Sequence, residues 1–158
     1  LTYTSIILHT ILTIFLAIQS KNARPVDYSA SSGAENSSWS SRNMPLLGVL
    51  VLVFIAIHMK SFWYEMHWGE VGNDLWGNQD LYTVTVTAFR EVWYTAFYVF
   101  SMIILGLHLN HGVASAFQTL GLKTQKYLSP IEKFAGAFSI LVPVAFASIP
   151  IILYLQSL

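Results

Sequence analysis

The residues best suited to chemistry in this chain are its five histidines: His9, His58, His67, His108 and His111. Three of them, His9, His58 and His108, fall well inside long apolar stretches. An ionisable ring inside a membrane segment is costly and needs a partner, a metal or a water-filled cavity. For one such residue, a hydrogen bond to a neighbouring helix is an ordinary explanation. Three of them on three separate stretches favour a shared cofactor. The chain has no cysteine, so it supplies no thiolate metal site, iron–sulfur ligand, disulfide or cysteine nucleophile.

The elements that must position these rings are four apolar stretches, at about 1–20, 44–66, 90–120 and 131–156. Each approaches or exceeds the ~20 residues that cross a hydrocarbon core of ~30 Å. They predict an all-α membrane protein, a bundle of four transmembrane helices forming a single domain over 1–158. Only 10% of residues are charged and 54% are hydrophobic, whereas a soluble domain carries about 25% charged residues. The formal net charge is zero, so no basic face points to nucleic acid. Pro143 and Pro150 lie in the last span, where membrane helices tolerate kinks. The chain opens at Leu1 inside an apolar stretch with no basic n-region, which is not a signal-peptide pattern. A further N-terminal segment is therefore expected.

Loop charge predicts the orientation. Loop 21–43 carries Lys21, Arg24 and Arg42, and loop 121–133 carries Lys123, Lys126 and Lys133. Loop 64–89 has no Lys or Arg but holds Glu65, Glu70, Asp74 and Asp80. By the positive-inside rule the first and third loops are cytoplasmic, and loop 64–89 and the C-terminus lie outside. Trp39, Trp63, Tyr64, Trp68, Trp76, Trp93, Tyr94 and Tyr127 sit near the span ends, as an aromatic belt would.

Depth pairs two of the histidines. His9 is eleven residues from the inner end of its span near Ser20, and His108 is twelve from the inner end near Leu120. At 1.5 Å per residue both lie ~16–18 Å deep. Two imidazoles at one depth on different helices suit the opposite faces of a haem iron. Zinc would want a third protein ligand and usually a fourth. Gly106, Gly112 and the run Ala114–Ser115–Ala116 flank His108. Small residues there either make room for a macrocycle or let helices pack closely. His58 lies nearer the outer surface and has no depth-matched partner in this chain. His111 is about 60° round the helix from His108 and ~4.5 Å nearer the inside. It cannot share that iron face. With Arg42 it is a candidate for a haem propionate, or else an interfacial residue.

Several stretches together resemble a known family: "KNARPVDY", "SWSSRNMPLLGVLVLVFIAIHMKSFWYEM", "LHLNHGVASAFQTLGL" and "FASIPI". They are similar to the diheme cytochrome b membrane anchor of bacterial succinate dehydrogenases and fumarate reductases, in its Bacteroidetes-like version. The resemblance covers nearly the whole chain and aligns it with helices two to five of a five-helix family. It implies two b haems, with His9 and His108 on the iron of the inner haem. His58 would hold the outer haem iron, with its partner on the family's first helix, which this chain lacks. It further implies a bacterial cytoplasmic membrane location, an FAD flavoprotein subunit and an iron–sulfur subunit as partners, and menaquinone as the membrane quinone. The chain itself would relay electrons and carry no catalytic residue; succinate would be oxidised, or fumarate reduced, elsewhere in the complex.

A quinone needs proton donors and acceptors beside an apolar slot. Lys60, Trp63, Tyr64, Glu65, His67, Arg90 and Glu91 offer them near the outer haem, or else form an interfacial rim. Arg42, His111, Lys123 and Lys126 are an inner cluster for propionates, for docking the iron–sulfur subunit, or simply for topology. The rival readings are the cytochrome b anchor of another quinone-linked dehydrogenase, and a haem-free membrane anchor or transporter.

Overall fold

The computed structural model describes residues 1–23 and 38–158. Arg24, counted above in the basic first loop, and the Ser-rich stretch up to residue 37 lie outside the described residues. The elements in chain order are α1 (Thr2–Asn22), α2 (Trp39–Arg42), α3 (Met44–His58), a π-helical segment (Met59–Tyr64), α4 (Glu65–Trp68), α5 (Leu81–Phe89), α6 (Val92–Thr119) and α7 (Leu128–Gln156). Among the described residues there is no strand, only an isolated antiparallel bridge between Asn73 and Gln79. The protein is all-α. Four stretches are long and apolar enough to cross a membrane: Thr2–Asn22, Met44–Trp68, Val92–Thr119 and Leu128–Gln156. They match the expected spans to within a few residues and make this a multi-pass membrane protein.

The chain divides into two compact units, Leu1–Pro45 and Leu46–Leu158. In the first, α1 has no buried residue. Its hydroxyls are satisfied locally: Thr10 donates to the Ile6 carbonyl and Thr13 to the His9 carbonyl. Such back-bonding lets a threonine sit in an apolar helix without a stranded hydroxyl. The short α2 starts at Ser38, whose hydroxyl accepts from the Ser41 N–H at 3.2 Å.

In the second unit α6 and α7 form an antiparallel hairpin. Phe117 meets Phe134 near the turn at a ring separation of 6.0 Å. Gly106 faces Ser139 and Pro143 in the middle. At the far end Leu153 covers the buried cluster of Phe89, Tyr94 and Tyr98. The turn is written in "TLGL". Gly121 takes φ +72°, its N–H bonds to the Gln118 carbonyl, and the Leu122 N–H bonds to the Phe117 carbonyl. This is a Schellman stop, and it needs the left-handed conformation that glycine adopts without strain.

The hairpin crosses tightly at one point, where a β-carbon on Gly106 would lie 2.9 Å from the Ser139 carbonyl oxygen. That carbonyl is special because Pro143, four residues on, has no N–H to give it. α7 nevertheless continues unbroken through Pro143 and Pro150. Lipid supplies no water to a freed carbonyl. The Gly106 backbone covers it, with a Cα–H pointing at the oxygen. Of the two readings open for Gly106, close helix packing is the one realised. Gly112 meets no neighbouring atom within 4 Å among the described residues.

The polar loop expected over 64–89 is partly helical. Its first residues complete the second span as α4, and α5 occupies its last part. The "TVTVT" alternation of α5 looks like a strand and hides the helix. Its start is set by Asp80, whose carboxylate accepts from the Thr83 N–H at 2.9 Å and the Thr83 hydroxyl at 2.6 Å. Between α4 and α5 the chain turns around Asp74, whose carboxylate accepts from the N–H groups of Trp76 and Asn78. These bonds to the charged form hold both carboxyls below the usual range, through the Asn78 N–H at Asp74 and the Thr83 hydroxyl and N–H at Asp80.

Candidate functional site

His58 is the last residue of α3, and the π-helical segment begins at the next residue. A π turn carries more residues per turn than an α turn and recurs at functional sites. Aromatic rings hold the imidazole on several sides. Ring centroids lie 5.8 Å away for Phe54, 5.2 Å for Phe62 and 6.1 Å for Tyr98. The Tyr98 hydroxyl is 3.4 Å from Nδ1 of His58 and 3.1 Å from the Tyr94 hydroxyl. Both tyrosines are buried, while His58 itself is exposed. One ring nitrogen is thus engaged towards the core, and Nε2 is left for a further partner. An arrangement of this kind fits a metal-ligating histidine, whose second ring nitrogen characteristically donates a hydrogen bond.

The tyrosines were missed by residue counting. Tyr94 was expected in the interfacial belt, but it is 9% exposed and belongs to the core. Its neighbour Trp93, 65% exposed, takes the belt position. The available signal was the i,i+4 spacing of Tyr94 and Tyr98, which stacks two hydroxyls on one helix face. Their ring centroids are 4.9 Å apart.

His108 occupies a different setting. It is half-buried in the middle of α6, and its Cε1 would lie 3.8 Å from a β-carbon on Gly48. The ring therefore rests over a bare stretch of α3. His58 and His108 both belong to the boundary between α3 and α6. On α3 ten residues separate Gly48 from His58, and on α6 ten separate Tyr98 from His108. At 1.5 Å per residue the two imidazoles are ~15 Å apart along this boundary. Among the described residues no three His, Asp or Glu side chains gather into a metal-binding group.

The other expected residues fall as follows. His9 lies midway along α1, exposed within the first unit. His111 is half-buried one turn beyond His108. Arg42 closes α2 in the first unit. Lys123 pairs with Glu132 at 3.5 Å, and Lys126 lies 5.3 Å over the Tyr127 ring. Lys123 thus finds its partner on the first turns of α7, and Lys126 finds its own in the neighbouring tyrosine.

At the outer cluster, Trp63, Tyr64, His67 and Trp68 form one aromatic group. Ring centroids are 4.5 Å apart for Trp63–His67, 5.0 Å for Trp63–Trp68 and 5.4 Å for Tyr64–Trp68. A ring nitrogen of His67 lies 2.8 Å from the Trp63 carbonyl. Lys60 and Glu65 lie on the same continuous helix, and Arg90 and Glu91 link α5 to α6. Phe62 and Phe89, 6.0 Å apart, bring the two parts to one end of the unit. Among the described residues, Lys60, Glu65, Arg90 and Glu91 form no ion pair with one another.

The fold and these rings define a class: an α-helical, multi-pass membrane protein with histidines set into its spans. Neither a protein-family model, nor a curated protein, nor a solved structure matches the chain.

Proposed function

We propose that this chain is the haem-binding membrane anchor of a succinate:quinone oxidoreductase, relaying electrons between an iron–sulfur subunit and a membrane quinone. The observation that carries the reading is the set of three histidines on three spanning helices, with His9 and His108 at equal depth by residue count. Haem, when bound, supplies one-electron transfer, and two histidines on an iron leave no open position for oxygen. His9 and His108 would hold the inner haem, and His58 would hold the outer one through Nε2. The ~15 Å offset between His58 and His108 along the α3–α6 boundary supports two stacked sites in place of one. His111 and Arg42 would take a propionate.

Lys60, Trp63, Tyr64, Glu65, Arg90 and Glu91 would line the quinone site on the His58 side. The aromatic faces supply an apolar slot, and the charged groups exchange protons with outer water. The basic loops 21–43 and 121–133 would face the cytoplasm, towards the FAD and iron–sulfur subunits, in a bacterial cytoplasmic membrane. Menaquinone is the quinone the family resemblance favours.

The test is a reduced-minus-oxidised visible spectrum of the purified membrane complex. An α band of b-type haem, lost in part in His9→Ala and in His108→Ala, is expected. A spectrum without that band would overturn the cytochrome reading and leave a haem-free anchor or transporter. Co-purification with a flavoprotein carrying covalent FAD separates succinate oxidoreductase from the anchor of another quinone-linked dehydrogenase.

A further inference from the structure

The hydroxyls of Tyr94 and Tyr98 are the buried polar groups that the proposed electron relay leaves unexplained. Both side chains are buried, at 9% and 5% exposure, in an otherwise apolar cluster of Phe54, Phe62, Phe89 and Phe97. A buried hydroxyl without a partner is costly. Here the two hydroxyls partner each other at 3.1 Å, and Tyr98 also reaches His58 Nδ1 at 3.4 Å. The three groups form one chain from α6 to the end of α3.

We infer that Tyr98, steadied by Tyr94, is a positioning residue that fixes the tautomer and plane of the His58 ring and so tunes whatever His58 ligates. The inference rests on the reading of His58 as a haem ligand. When Nε2 holds iron, the proton of the neutral ring sits on Nδ1, which donates to the Tyr98 oxygen. The Tyr98 O–H then donates to the Tyr94 oxygen. This polarity leaves both tyrosine rings where the aromatic cluster packs them, with Tyr98 edge-on to Phe54, Phe62 and Phe89. An acceptor on Nδ1 raises the basicity of the ligating nitrogen. A more basic ligand favours the ferric form and lowers the reduction potential. At His108 the neighbour on α3 is Gly48, where an added β-carbon would lie 3.8 Å from Cε1 of the ring.

The experiment is a redox titration of the intact complex carrying the full chain, followed by visible and electron paramagnetic resonance spectra. Tyr98→Phe keeps the ring and removes the hydroxyl. The midpoint potential of one haem should move up, with a change in its ferric resonance, and the other haem should not move. Tyr94→Phe should give a smaller upward shift of the same haem, because it acts through Tyr98. It also serves as the deciding variant if Tyr98→Phe does not assemble. His58→Ala should remove that haem. If His58→Ala leaves the haem content unchanged, the ligand reading itself fails. If His58→Ala removes one haem but both tyrosine variants keep wild-type potentials, or both haems shift together, the positioning role fails and the ligand reading stands.

Discussion

The two ends of the α3–α6 boundary hold an imidazole in opposite ways. At one end His58, itself exposed, is flanked by three aromatic rings and tied by Nδ1 to a pair of buried tyrosines. At the other end His108 rests over Gly48. The first is a rigid site built from side-chain packing and hydrogen bonding. The second is a close approach, in which the missing side chain of Gly48 leaves room for the ring. In lipid, where no hydrophobic drive pulls helices together, both are legitimate ways to hold a helix pair. They respond differently to mutation. The aromatic end is sensitive to truncation, and the Gly48 end to added bulk.

The comparison breaks most decisively at the ligands. His108→Ala and His9→Ala should each remove the same one of two haems, and His58→Ala the other, as read from the haem content of the purified complex. Unchanged content in both His9→Ala and His108→Ala would sink the inner pair. Next in size is Phe89→Ala. It empties a side chain that is 3% exposed and touches Tyr94, Tyr98 and Phe62. A loss of about 3–5 kcal/mol is expected for truncating a buried Phe, measured by unfolding in detergent, and a loss near zero would mean the cluster is not a core.

Added bulk tests the other contact of α6, its crossing with α7. Gly106→Ala drives a methyl against the Ser139 carbonyl and should cost about 1–3 kcal/mol by overpacking. Gly112→Ala, with open space around it, should stay within about 0.5 kcal/mol of wild type. Equal effects in the two glycine variants would refute the tight crossing.

The smallest effect lies in the outer loop. Asp80 and Asp74 are held ionised by hydrogen bonds, so their native carboxyl values lie below the unfolded ones. Their contribution is present above about pH 4, the ordinary carboxylate value, and is lost as pH falls through the lowered native value. Asp80→Ala should remove that dependence at α5 and fray its first turn. Amide exchange around Thr83 between pH 3 and 6 reads both, and identical exchange in the variant would exclude a capping role.

Much of this was legible in residues alone. Span length and hydropathy marked the four membrane helices, because a 30 Å core sets a minimum run of apolar residues whatever packs beside them. The histidines stood out for the same reason: lipid makes an ionisable ring conspicuous. "TLGL" is a local stop signal that acts through its own backbone. Other features were hidden. α5 carries a strand-like alternation, but it is capped by Asp80 and packs against α6, α7 and the π-helical segment. The π segment after His58 has no sequence mark, because an inserted residue per turn is a response to what the turn packs against.

Sequence by itself determined that this is an all-α, multi-pass membrane chain with three imidazoles placed inside its spans. Local rules suffice there, since apolar length, caps and turn glycines act within one segment. Only the tertiary structure decided what Gly106, Tyr94 and Tyr98 do. Gly106 could serve a macrocycle or a helix crossing until Pro143, thirty-seven residues away, released the carbonyl that it covers. Tyr94 was an interfacial residue by position, and became part of a buried chain when α3 brought His58 to Tyr98, forty residues apart in sequence. Contacts over such distances depend on which helix faces meet, and that is a property of the packed unit.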